Sequence, residues 1–218
     1  MKKLLLTTLL LIASFCFSQR EIKDNNLYIF IGQKISINEF NPNPNITEVM
    51  NSIDKKSRDS IKSYFMDEAF HCQYKLIANV YNRLDSDTVQ FDAYDHYGRP
   101  GFEKHGDVML YLSKNQSEKL YHQKYIYDPV YKINEEWMGI YSFYFPNDHS
   151  KSWTKFKTVP FNKDGLIKLK LKSCDKKCQA LYYPYPYFTI KDGYAYPKKA
   201  FKIDDIIAYR KKTTFLFK

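Results

Sequence analysis

Six apolar residues at strict period two, Phe70, Cys72, Tyr74, Leu76, Ala78 and Val80, alternate with His71, Gln73, Lys75 and Asn79. Successive side chains of a strand point to opposite faces, so this run predicts a long strand with one face buried. A polar turn from Arg83 to Ser86 follows. Beyond it Val89, Phe91 and Ala93 alternate with Gln90, Asp92 and Tyr94, and the two runs together predict an antiparallel hairpin. Matching the apolar faces across the turn pairs Val80 with Val89, Ala78 with Phe91 and Leu76 with Ala93. A slip of one residue would invert every side chain.

The same reading extends along the chain. Leu27 to Ile31, with Ile35 and Ile37 across Gly32, predicts a strand with a bend or a short hairpin. Ile46, Val49, Met50, Ile53, Ile61, Tyr64 and Phe65 recur at helical spacing, which places one helical region near residues 46–66. Val108 to Leu112 is apolar throughout and belongs inside a sheet. Leu120 to Tyr127 is Tyr-rich and alternating, and Val130 to Ile133 and Trp137 to Tyr141 flank Asn134, Glu135 and Glu136 as a second hairpin. Leu166 to Lys172 alternates apolar residues with Lys, as an edge strand does. Tyr182 to Phe188, with Pro184 and Pro186, reads as an extended segment outside regular ladders. Phe201 to Tyr209 fits neither period, and Thr213 to Phe217 reads as a last strand. No helix alternates with strands as crossovers require, so the fold class is mainly antiparallel β, a sheet or sandwich of about nine or ten strands.

Composition supports this. The chain holds 20 Tyr, 16 Phe and 2 Trp among 218 residues, with only 7 Gly, and aromatic residues favour strands. The ordinary apolar content excludes global disorder. At the start, Lys2 and Lys3 precede an apolar run, Leu4 to Phe17, too short to span a bilayer at ~20 residues. Cys16 and Ser18 then supply small side chains at the positions a signal peptidase reads, so residues 1–18 are expected to be a signal peptide cut before Gln19. Lipidation at Cys16 is disfavoured by bulky Phe15. Residues 19–218 are then expected to form a single β-rich domain, periplasmic or secreted, with no membrane-spanning segment. Any boundary falls near Pro146 to Ser152.

Charge is uneven across that point. Residues 19–150 carry 15 Lys and Arg against 19 Asp and Glu, whereas residues 151–218 carry 17 against 5. The basic part would attract anionic glycans or lipid head groups, and export disfavours nucleic acid. Cys174 and Cys178 bracket Asp175, Lys176 and Lys177, a polar turn that brings their α-carbons within the ~4.4–6.8 Å of a disulfide. No further Cys or His follows at zinc spacing, and Cys72 lies in the apolar row.

Candidate chemistry is sparse. There is no phosphate-cradling glycine loop, dinucleotide fingerprint, metalloprotease His pair or nucleophile elbow, and nothing implies a cofactor. Cys72 and His71 face opposite ways and cannot act as nucleophile and base. The polar face of the hairpin is the best constellation. The expected register sets Gln73 opposite His96 with His71 diagonal to it, beside Lys75, Asp92 and Tyr94, and His105 in the glycine-bearing loop can join them. A second candidate is the aromatic segment of Tyr183, Tyr185 and Tyr187, whose rings suit sugar faces. The expectation is a non-enzymatic exported or envelope-associated protein for an anionic or glycan ligand. The alternative is an exported hydrolase using the His- and Asp-bearing sheet face.

Overall fold

The bent apolar run near the start forms one long strand, β1 (Tyr28–Phe40), which carries irregularities in its pairing where it curves. The computed structural model describes residues 26–43, 66–142, 145–161, 167–171 and 173–214. The helical region expected near residues 46–66 lies outside them except at Met66. Next come β2 (Glu68–Tyr81), β3 (Thr88–Asp95), a 3-10 turn at Gly101–Lys104, β4 (Asp107–Lys114) and β5 (Leu120–Ile133). β1 pairs antiparallel with β2 and β4, β2 with β3, and β4 with β5. One parallel pairing, Asp92 with Tyr121, joins β3 to β5 and closes the ring. The circular order 1-2-3-5-4-1 is that of the OB-type Greek-key barrel. An architecture carries no function of its own.

The barrel interior follows from period two. Phe30, Phe70, Cys72, Tyr74, Val89, Phe91, Val108, Leu110 and Leu112 all point inward and are buried. Phe102, from the 3-10 turn, plugs one end and meets Tyr74 and Phe91 with ring centres 5.9 and 6.1 Å away.

The intervening residues of β1, β4 and β5 face outward into a second core, which includes Ile29, Ile31, Met109, Tyr111, Ile126 and Val130. It is completed by β6 (Glu136–Ile140), β7 (Val159–Pro160) and β11 (Lys199–Lys202), which extend the sheet from β5 in the order β5-β6-β11-β7. A separate three-stranded sheet holds β8 (Leu169–Lys170), β9 (Phe188–Lys191) and β10 (Tyr194–Pro197), with β8 at its edge. Helices α1 (Lys176–Tyr182) and α2 (Ile203–Thr213) complete the described elements.

α2 packs Ile206 and Ile207 into the second core. Gly139 makes room for it, because a Cβ there would lie 2.3 Å from Ile206 Cδ1. Arg210 on the same helix is fully buried and donates to Asp128 of β5 at 2.6 Å through Nη2 and 3.3 Å through Nε. Tyr111 donates to the same carboxylate at 2.8 Å. Burial, then the Asp128 charge, holds the Tyr111 phenol far above its ordinary range, so it remains a donor.

The structure corrects several expectations. The hairpin register is displaced by six residues: Phe70 faces Ala93, Cys72 faces Phe91, Tyr74 faces Val89 and His71 faces Asp92. β2 is much longer than β3, and its second half, Leu76 to Tyr81, pairs with β1 instead. The Asn79 side chain then binds both backbone groups of Leu84, at 3.0 and 3.3 Å, and shapes the wide turn. Leu120 to Tyr127 and Val130 to Ile133 are one strand. The β5–β6 turn holds Asn134 and Glu135, both with positive φ, as a two-residue turn of this type demands.

Tyr182 to Phe188 is not extended: it spans the end of α1, a turn containing a cis Tyr185–Pro186 bond, and the start of β9. The polar residues after Cys174 start a helix, because Asp175 caps it. Phe201 to Tyr209 defied one period because a strand ends and a helix begins inside it. Thr213 ends α2 rather than starting a strand, and residues 215–218 lie outside the described set.

Candidate functional site

Outward-facing residues of the hairpin are arranged in rows across β1, β2 and β3. Phe40, Ala69 and Tyr94 form one row, and Asn38, His71 and Asp92 the next. His71 Nδ1 donates to the Asp92 carboxylate at 2.7 Å, and Phe40 stacks flat on the imidazole with ring centres 3.9 Å apart. The small side chain of Ala69 lets the Phe40 and Tyr94 rings meet above it, 6.3 Å centre to centre. Burial, then the Asp92 charge, raises the Tyr94 phenol and keeps it neutral.

His96 does not join this group. The true register puts it four residues along from Asp92, about 13 Å at strand rise, and it lies 3.4 Å from Asp67 instead. His105 packs beside Tyr127 with ring centres 5.7 Å apart, and burial, then nearby Lys104, lowers its pKa. The second aromatic candidate divides. Tyr187 stacks on Phe201 and Tyr183 meets Phe188 edge-on, both half-buried against the second core, while Tyr185 is 91% exposed.

Tyr94 also belongs to a cavity of about 500 Å³ beside the plugged end of the barrel. Its walls are Tyr94, Tyr97, Tyr125 and Tyr127, with Phe102 and His122 among its lining, and Asp95, Arg99 and Lys104 supply charge. Gly101 admits the Tyr127 hydroxyl, which would lie 2.5 Å from a Cβ at that position. Tyr125 and Tyr97 face each other 5.8 Å apart.

β5 builds this cavity through a bulge. Leu110 pairs with Tyr127 but Leu112 pairs with His122, so the intervening residues of β5 loop out, with Tyr125 at φ +64°. The His122 ring closes the bulge by donating Nε2–H to the Ile126 carbonyl at 3.0 Å. Nδ1 is thereby left as the ring's acceptor. Burial pushes His122 down to about 4, so the imidazole is neutral at physiological pH. Phe102 packs edge-on against it at 4.6 Å.

The charges around the cavity offset one another. Arg99 is held by Glu103 at 2.8 Å and Lys124 is paired with Asp67, while Asp95 and Lys104 have opposite signs. A second cavity of similar volume lies between residues 147–152 and the end of α2. Its polar groups serve the local backbone: Asp148 accepts from Ser150 and Ser152, and the hydroxyls of Thr213 and Thr214 donate to helix carbonyls. Cys72 is buried, and burial, then the Asp92 and Glu103 charges, pushes its thiol up to about 12. Among the described residues no three His, Cys, Asp or Glu side chains form a group that could hold a metal ion.

No family model, curated protein or solved structure matches this chain.

Tyr97, Phe102, His122, Tyr125 and Tyr127 escaped the sequence reading. For His122, Tyr125 and Tyr127 the Tyr-rich run at Leu120 to Tyr127 is the one visible signal, but alternation assigns its faces wrongly once a bulge interrupts it, and Tyr97 and Phe102 lie in a loop that has no period.

Proposed function

We propose that this protein is an exported, non-enzymatic glycan-binding protein, and that one sugar ring enters the tyrosine-walled cavity beside the barrel. The observation carrying this reading is the wall itself, Tyr94, Tyr97, Tyr125 and Tyr127 around about 500 Å³. Tyrosine offers flat apolar area with a polar tip, which suits a ring that has apolar faces and hydroxyl edges. The Tyr94–Phe40 pair continues the surface onto the barrel face, where Asn38, Gln73 and Gln90 supply amides for further hydroxyl groups.

The balanced charge supports a neutral or weakly charged sugar. A nucleic-acid strand would call for several Lys or Arg free to meet phosphates. Export is supported by the signal-like first 18 residues and by the Cys174–Cys178 bridge, a feature of oxidising compartments. The anionic preference suggested by the basic C-terminal part belongs to a different surface.

The hydrolase alternative draws on one observation, the 2.7 Å contact between His71 and Asp92, which resembles a general base held by a carboxylate. Phe40 covers one face of that imidazole, and among the described residues no Ser, Thr or Cys hydrogen-bonds to it.

A glycan array probed with the exported protein tests both readings. Specific binding that falls at least about tenfold in Tyr97→Ala, the loss of roughly 1.4 kcal/mol, supports the pocket. Absence of any glycan signal overturns it. Glycan cleavage that disappears in His71→Ala supports the hydrolase instead.

A further inference from the structure

Helix α1 buries none of its seven residues. A two-turn helix is not stable alone in water, and packing of one face normally supplies the missing stability. Three local devices replace that packing. Asp175 caps the first turn by accepting from Cys178 N at 2.8 Å, Gln179 Nε2 donates to the Cys174 carbonyl at 2.8 Å, and a disulfide ties Cys174 to Cys178 across a Cα–Cα distance of 5.2 Å.

The clamp holds apolar and aromatic side chains out into solvent. Leu181 is 47% exposed, Tyr182 37% and Tyr185, in the turn after the helix, 91%. Lys176 and Lys177 on the same helix are exposed as well. The helix sits between β8 and β9, and residues 167–199 contain eight Lys against two Asp and no Glu.

We propose that this clamped helix and its following turn are a docking site for a membrane surface, the occupant being the head-group layer of an anionic lipid bilayer. Lysines meet lipid phosphates, while Leu181, Tyr182 and Tyr185 enter the boundary between head groups and acyl chains, where amphipathic rings are favoured. Charge selects this occupant: exposed Lys176 and Lys177 lie on the helix itself, within a segment of eight Lys against two Asp, and a surface of uniform negative charge complements that excess. The element lies on the surface and does not cross it, as no helix among the described residues is long and apolar enough to span. A rigid helix loses less freedom on docking than a loop would, which gives the clamp a purpose that core stability does not.

Co-sedimentation with lipid vesicles tests this. The exported protein is mixed with phosphatidylcholine vesicles and with vesicles holding 30% phosphatidylglycerol. Binding is expected to the second only, and to weaken in high salt. Lys176→Gln with Lys177→Gln should weaken it roughly 30-fold, at about a factor of five per basic residue. Leu181→Ser with Tyr185→Ser should weaken it about tenfold or more at unchanged charge. Since these four side chains support no core, circular dichroism and thermal unfolding should match the parent protein. Tyr97→Ala should bind vesicles normally, which separates this site from the glycan pocket. Binding to neither vesicle, equal binding to both, or binding indifferent to both pairs of substitutions would overturn the proposal.

Discussion

Replacing Arg210 by Met removes the cation that neutralises Asp128 between α2 and β5. Asp128 is 2% exposed, so its carboxylate would remain buried with the Tyr111 hydroxyl still donating to it but no counter-charge. Breaking a buried pair from one side costs about 3–5 kcal/mol, a large share of the roughly 5–15 kcal/mol that holds a domain together. The Arg210 guanidinium also lies over the Tyr111 ring, 5.8 Å from its centre, so some packing is lost with the charge. At a urea slope of about 2 kcal/mol per molar, the unfolding midpoint should fall by about 2 M. Asp128→Leu combined with Arg210→Met removes both charges, and the double variant should recover to within about 1 kcal/mol of the parent protein or exceed it. Urea unfolding of all four proteins closes the thermodynamic cycle. A loss below about 1 kcal/mol in Arg210→Met, or single losses that simply add in the double variant, would refute the ion pair as the link between α2 and the barrel strands.

Three further outcomes follow from buried groups. His122 is pushed down to about 4 when folded but titrates near 6.5 when free, so between these values only the unfolded chain takes up the proton. Stability should fall as pH drops from 6.5 to 4, by about 3 kcal/mol more in the parent than in His122→Gln, and equal pH profiles would refute a neutral buried imidazole. Cys72 should resist thiol reagents in the folded protein and react once on unfolding without reductant, whereas rapid labelling of folded protein would contradict its burial. Gly139→Val should lower thermal stability because its side chain would displace Ile206; an unchanged melting temperature would mean that α2 does not press on β6.

Alternation assigned the inward and outward residues of β3 and of β2 from Phe70 to Leu76 correctly, because the register is displaced by six, an even number; Ala78 and Val80, expected on the same face, pack against the second core, where the β1–β2 pairing is irregular. The register itself was hidden. It depends on β2 running past β3 to pair with β1, and on the Asn79 contacts with Leu84, neither of which leaves a periodic trace. Barrel closure was equally hidden, since the Asp92–Tyr121 pairing joins strands distant in sequence. Pattern alone puts His71, Asp92 and Tyr94 on one face, but the expected register does not bring His71 to Asp92. His122 could not be placed, because its partner Ile126 comes within reach only through the bulge at Tyr125. In the C-terminal part, aromatic clustering at Tyr183 and Tyr187 looked like a ligand platform. Rings that cover a core and rings that await a sugar have the same sequence signature, and only packing separates them.

We propose that a glycan ring enters the cavity walled by Tyr94, Tyr97, Tyr125 and Tyr127. Nuclear magnetic resonance of the protein with isotope-labelled tyrosine rings, titrated with a glycan found on the array, reads this contact ring by ring. Shifts concentrated at these four tyrosines, with Tyr183, Tyr185 and Tyr187 unmoved, are the expected result. Shifts confined to Tyr183, Tyr185 or Tyr187 would contradict it.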